Sequence, residues 1–224
     1  ETVDFMWGIR FNNERGWFME HKDEYINSFL TPTKELGEQV YDAMHAMLPD
    51  EPLMLKVSRI YRDARRLFGR GPYKDHLWWC IRTGDKDWTG RPTFWFELGP
   101  DYYSFGLGFW SPAAALMETY RKQIDQHPEE LSKLVRQFNK QSVFTLDGPE
   151  YARSKGQTSD LLRPWYQKKS LSLRWEGPLD ERIFSPDLAQ DIIDGFKTLI
   201  PFYHYFNKLV ALTPRQERGG GEDA

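Results

Sequence analysis

The chain has 224 residues, a formal net charge of −3 and an aromatic share of 16 %, with nine tryptophans. That length suits one large domain or two small ones, and a balance this close to neutral excludes a molecule that seeks polyanions with its whole surface. No apolar run is long enough to span a bilayer and no charged-then-apolar leader follows Glu1, so no membrane partner is expected; the single cysteine, Cys80, excludes an intrachain disulfide and fits a cytoplasmic location.

In chain order, a first helix is expected near Asn13, carrying Trp17, Phe18, Tyr25 and Phe29. A hydroxyl cap followed by proline at the first helical position marks three more, at Thr31-Pro32, Ser111-Pro112 and Ser185-Pro186. A shorter helix follows Pro128, and Pro201 is expected to interrupt the last one before Leu212. Between the helices, residues 57–62, 76–82, 93–98, 102–110 and 171–175 are short, aromatic or β-branched, and bounded by Gly or Pro. Gly99-Pro100-Asp101 is a turn sequence and joins two of them as an antiparallel hairpin. On its second strand Ser104, Gly106 and Gly108 share a face opposite Tyr103, Phe105, Leu107 and Phe109. Such glycines mark either close approach of a backbone or ligand, or a helix packed tightly on the sheet.

These elements give an α+β fold: a central, mostly antiparallel sheet of about five strands flanked by N-terminal and C-terminal helices. Residues 1–213 read as a single domain and 214–224 as a disordered, Gly-rich polar tail.

The charge is unevenly placed. Between Lys56 and Arg82 stand eight basic residues and two acids, net +6, which leaves −9 for the remainder. Six of the eight are arginines, whose planar fork matches carboxylate and phosphate oxygens in pairs. An arginine-bearing strand with Arg59 and Arg62, leading into a loop from Arg65 to Lys74 that contains Gly69, Gly71 and Pro72, could wrap an anion. The plainer reading is a solvated surface whose arginines pair with acids elsewhere.

Other chemistries find little support. The Gly69 to Lys74 loop lacks the spacing of a phosphate loop, and no dinucleotide fingerprint occurs, so no cofactor is expected. His21, His45, His76, His127 and His204 do not stand at zinc-ligand spacing, so no metal is expected. Cys80 and His76 lie too far apart along one strand to act as a nucleophile and base, and Asp85 and Asp87 read as solvent-facing. Arginines interleaved with Tyr61, Phe68, Tyr73, Trp78 and Trp79 could stack on bases, but the protein is acidic overall and those aromatics have core roles available; nucleic acid is not the expected partner.

Several blocks carry a resemblance. Phe11-Asn12-Asn13-Glu14-Arg15-Gly16-Trp17-Phe18, then Arg59-Ile60-Tyr61-Arg62-Asp63-Ala64-Arg65, then Gly71-Pro72-Tyr73-Lys74-Asp75-His76-Leu77 resemble the conserved hypothetical protein family known as domain of unknown function 2461. Later pieces match as well: Tyr102-Tyr103, Gly108 to Pro112, Leu146-Asp147-Gly148, Lys155-Gly156 and Ser185-Pro186. The chain departs from the family pattern at Arg66-Leu67-Phe68-Gly69-Arg70. The resemblance implies a soluble protein of bacterial type, points to the same basic stretch, and supplies no activity.

The resulting expectation is a site for a small anionic or phosphorylated ligand. Arg59, Arg62, Arg65 and Lys74 would grip the anion, with Tyr73 and His76 at its edge. Asn12 and Asn13 read first as an N-cap, and join the site if the first helix packs there. The alternative is a non-catalytic interaction module that docks an acidic protein or nucleic acid. Whether the chain is an enzyme, and its oligomeric state, are left open at this point.

Overall fold

The computed structural model describes residues 1–84 and 87–214. Asp85 and the polar tail beyond residue 214 lie outside that range.

Among the described residues, six strands form one sheet in the order β1-β2-β3-β4-β6-β5, and every pair is antiparallel. They are β1 (Leu53–Val57), β2 (Leu77–Thr83), β3 (Pro92–Leu98), β4 (Tyr102–Phe109), β5 (Thr145–Asp147) and β6 (Ser172–Pro178). Two strands lie outside the sequence reading: β1, which ends at Val57 where the expected 57–62 strand begins, and β5, only three residues long and too short to show an alternating pattern. One expected strand is corrected. Residues 58–62 are irregular, because their ladder to 73–78 is broken. Ser58 Oγ accepts the Trp78 N–H, and a lone bridge joins Tyr61 to Tyr73.

Among the described residues, the α-helices of four or more residues are α1 (Thr2–Phe11), α2 (Arg15–Glu20), α3 (Thr31–Met47), α4 (Ala114–Gln126), α5 (Pro128–Phe138), α6 (Arg163–Tyr166) and α7 (Leu188–Leu212). Among the described residues, none is long and apolar enough to cross a membrane. α1 escapes the sequence reading; it buries Phe5, Met6 and Ile9, with the Phe5 ring against Phe29 and Tyr25. Thr31 caps nothing, because a π-helical stretch Tyr25–Leu30 runs straight into α3. Pro201 does not interrupt α7. It removes one N–H from the helical ladder, yet Leu199, Phe202, Tyr203 and Phe206 are all buried around it and hold the axis.

α3 and α7 cover one face of the sheet. There Phe196 of α7 meets Phe94, Phe105 and Trp79 with ring centres 4.9, 6.1 and 6.3 Å apart. Gly195 brings α7 this close, since a Cβ there would sit 3.0 Å from Phe105. Each fully buried phenylalanine contributes roughly 2–3 kcal/mol of transfer free energy. The opposite face carries Trp78, Cys80, Arg82, Trp95, Glu97, Ser104, Gly106, Gly108, Ser172 and Arg174, as the strand registers require. Trp78 and Trp95 on it are only half-buried.

Candidate functional site

The partly open face forms a cavity of ≈ 270 Å³ whose walls include Trp78, Trp88, Trp95 and Trp110, with Ser104 and Arg174 in its lining. Its tryptophans carry cations. The Lys74 ammonium lies 5.7 Å from the ring centre of Trp78, the Arg82 guanidinium 4.7 Å from Trp88, and that of Arg174 5.8 Å from Trp95. Gly106 stands between Trp95 and Arg174 in one cross-strand row, so no side chain blocks the guanidinium from the indole. A Cβ there would lie 2.1 Å from the Leu173 carbonyl. The glycine therefore answers to the neighbouring strand's backbone and not to a helix, the second of the two expectations for it.

Three polar atoms on this face are buried without a hydrogen-bond partner among the described residues: Arg82 Nε, Ser104 Oγ and Arg174 Nε. Ser104 is 1 % exposed. Buried polar groups are satisfied in the great majority of cases, so three on one face of the sheet, two of them on cavity-lining residues, is unusual. Arg174 is otherwise engaged, ion-paired with Glu176 and, at 3.6 Å, with Asp147. The Tyr102 hydroxyl donates to Glu97 at the cavity edge. Burial and the Glu97 carboxylate hold that phenol well above its ordinary range. Cys80 is buried in the floor, and burial pushes its thiol up to about 11, which makes it a poor nucleophile at neutral pH.

The basic stretch meets this face through Arg82, on β2 itself, and through Lys74, which the irregular segment before β2 delivers. Residues 58–62 and 72–78 run side by side, through Arg62 N–H to Pro72 O at 2.8 Å and Lys74 N–H to Ile60 O at 2.7 Å. Asn13 clamps the arm from the N-terminal side. Its Nδ2 donates to Tyr73 O and its Oδ1 accepts from Tyr73 N–H, both at 2.9 Å. The contact is so close that a Cβ on Gly71 would sit 2.1 Å from Asn13 Oδ1. The Tyr73 ring stacks on Phe18 of α2, with centres 4.3 Å apart.

Behind Lys74 lies an ion cluster centred on Asp75. Arg10 Nε donates to Asp75 Oδ2 at 2.6 Å while Arg10 Nη1 reaches Asp101 at 2.6 Å. His76 Nδ1 lies 3.0 Å from Asp75 Oδ1, and Arg62 Nη2 is 3.9 Å from it. The His76 contact, with Arg10 beside it, holds the Asp75 carboxyl well below the usual carboxylate range, against the opposing effect of burial. Arg62 also donates Nε to Tyr73 O at 2.8 Å. Burial, with Arg62 as the next cause, lowers Lys74 from its ordinary 10.5 to about 8.

The structure thus brings together Arg62, Tyr73, Lys74, His76 and Asn13, but with Arg62 and His76 turned onto Asp75. Arg59 is exposed. Arg65 is exposed as well and pairs with Asp63 two residues away, at 2.8 Å. Asn12 is not an N-cap; it ends α1, and its Nδ2 donates to Gly8 O at 3.0 Å. Nor is Asn13, since Glu14 precedes α2. Sequence reasoning missed Arg10, Arg82 and Arg174 as partners of the tryptophans and carboxylates. The one available signal was the row of small residues Ser104, Gly106 and Gly108.

Residues 1–205 match the family described as conserved hypothetical protein (DUF2461), and the chain belongs to that family. No curated protein matches it.

Proposed function

We propose that this DUF2461 protein binds a small, flat, anionic ligand on the open face of its sheet. The observation that carries the reading is a pair of buried, unpartnered polar atoms, Ser104 Oγ and Arg174 Nε, on residues that line a tryptophan-walled cavity. A buried donor without an acceptor costs about 1–3 kcal/mol, which an acceptor oxygen on a ligand would recover. The indoles supply flat apolar walls, and Lys74, Arg82 and Arg174 supply charge beside them. At ≈ 270 Å³ the cavity suits one or two rings bearing one acidic group, below the size of most drug-like sites. Arg62, Tyr73, His76 and Asn13 act in this reading as the frame that positions Lys74, while Arg59, Arg65 and Asn12 take no part.

Calorimetric titration with a panel of aromatic carboxylates and aryl phosphates tests it. Saturable binding that falls about tenfold, roughly 1.4 kcal/mol, in Arg174→Gln is the expected result. A panel that gives no binding to the wild type, or equal binding to the variant, contradicts it.

One observation favours a second reading, an interaction tip. Phe68 is 83 % exposed at φ 46°, a left-handed backbone that a bulky residue adopts at a cost of about 1–2 kcal/mol. It stands in the loop between Arg65 and Arg70. Under this reading an acidic partner is captured through Phe68, capture weakens steeply with salt, and Phe68→Ser abolishes it.

A further inference from the structure

A second cluster of cations lies outside the cavity, around Tyr151. The Lys155 ammonium is 4.3 Å from the Tyr151 ring centre, the Arg121 guanidinium 5.2 Å and the Lys169 ammonium 5.5 Å. Neighbouring charges are accounted for differently. Lys168 pairs with Glu150 at 2.9 Å, Arg163 with Asp160 at 2.8 Å, and Asp125 accepts from the Tyr166 hydroxyl at 3.1 Å. Arg121, Lys155 and Lys169 make no ion pair among the described residues. Arg121 Nη1 is moreover buried without a hydrogen-bond partner. Three like charges gathered on one ring repel one another, and a ring quadrupole offsets only part of that repulsion.

The cluster is held by backbone. Tyr151 N–H donates to Gln167 O at 3.0 Å and Lys169 N–H to Pro149 O at 2.7 Å, so the segment that bears Tyr151 is tied to the one that bears Lys169. Lys168 Nζ adds a bond to Gly148 O at 2.9 Å. Beside the ring opens a cavity of ≈ 540 Å³ lined by Tyr151, Ser154, Gly156, Thr158, Arg163 and Gln167.

We infer that Arg121, Lys155 and Lys169 form a binding site for the phosphate group of a phosphomonoester, with the adjoining cavity taking the group it is attached to. A phosphate dianion offers three oxygens to three separate donors, whereas a monocarboxylate offers two. Inorganic phosphate is the first probe, titrated into the full chain by calorimetry at fixed ionic strength, with acetate and chloride as controls. The site predicts saturable phosphate binding, acetate at least about tenfold weaker, and a loss of about tenfold or more in both Arg121→Gln and Lys155→Gln. Lys155 lies on an irregular segment, so its variant remains informative even where Arg121→Gln perturbs folding. Arg59→Gln, at an exposed residue that neither reading uses, should leave phosphate affinity unchanged. Phosphate binding lost in Arg174→Gln but kept in Lys155→Gln would put the phosphate in the other cavity and overturn the inference, while the aromatic-acid titration tests the proposed function separately. Glycerol phosphate in solution and vesicles containing phosphatidic acid then assign the source as a soluble ester or a lipid headgroup. Phosphate that binds no better than acetate, or binds equally to Lys155→Gln, overturns the inference.

Discussion

Trp78 and Trp79 are neighbours in sequence and opposites in use. Trp79 lies on the covered face, fully buried, stacked on Phe96 with centres 5.3 Å apart and met edge-on by Phe196. Trp78 lies on the other face, half-buried, near Trp110 at 6.5 Å and beneath the Lys74 ammonium. Each face even strands a polar atom: Trp79 Nε1 on one, Ser104 Oγ and Arg174 Nε on the other. Trp79 is 0 % exposed and enclosed by rings, so only packing can offset its lost bond, while Ser104, 1 % exposed, and Arg174 line the cavity of the open face. One face of the sheet is packed by helices, and the other is the face on which the proposed ligand would sit.

The largest effect should come from reversing that division. Trp79→Ala should lower stability by about 3–5 kcal/mol in denaturant melts, whereas Trp78→Ala should cost only about 1 kcal/mol and reduce ligand binding instead. Equal losses from both would break the comparison. Next comes Gly106→Ala. Its Cβ would press on the Leu173 carbonyl at 2.1 Å, so β4 and β6 must shift. The expected cost is about 1–3 kcal/mol, together with weaker ligand binding. Asn13→Ala removes both bonds to the Tyr73 backbone. It should cost about 1–2 kcal/mol and loosen Lys74, which hydrogen exchange at Tyr73 would report.

Lys74 gives two opposing pH slopes. Its folded value, about 8, lies below its ordinary 10.5. Between those values the unfolded chain holds the proton that the folded chain has lost, so stability should rise with pH across that window. Anion binding needs the ammonium, so affinity should fall as pH rises through about 8. Lys74→Met should flatten both curves; slopes that persist in the variant belong to other groups. Smallest of all, Arg59→Ala should leave the affinity for aromatic acids unchanged.

Much of the frame was legible in the sequence, because local chemistry writes it. Gly99-Pro100-Asp101 does join β3 to β4, and Pro128 does open α5. What stayed hidden depends on partners far along the chain. Asn13 is 60 residues from Tyr73, and Arg10 is 65 from Asp75. No spacing rule links either pair, so Asn13 read as a cap and Arg10 drew no notice. The basic stretch was found, but not its division of labour. Arg65 spends its charge on Asp63 next door, Arg62 turns inward to Tyr73 and Asp75, and only Lys74 and Arg82 of the stretch meet tryptophans among the described residues. The arginines that share the open face, Arg82 and Arg174, lie at its end and 92 residues beyond it. Only the strand register places them together.

Under the proposed function, a ligand meets Trp78 and Trp95 on the open face and leaves Trp79 untouched. Heteronuclear NMR of the indole N–H groups, recorded during titration with the best-binding aromatic acid, tests it most directly. The account predicts saturable shifts at Trp78 and Trp95 and none at Trp79. Shifts confined to Trp79, or binding without any shift at Trp78 and Trp95, would contradict it.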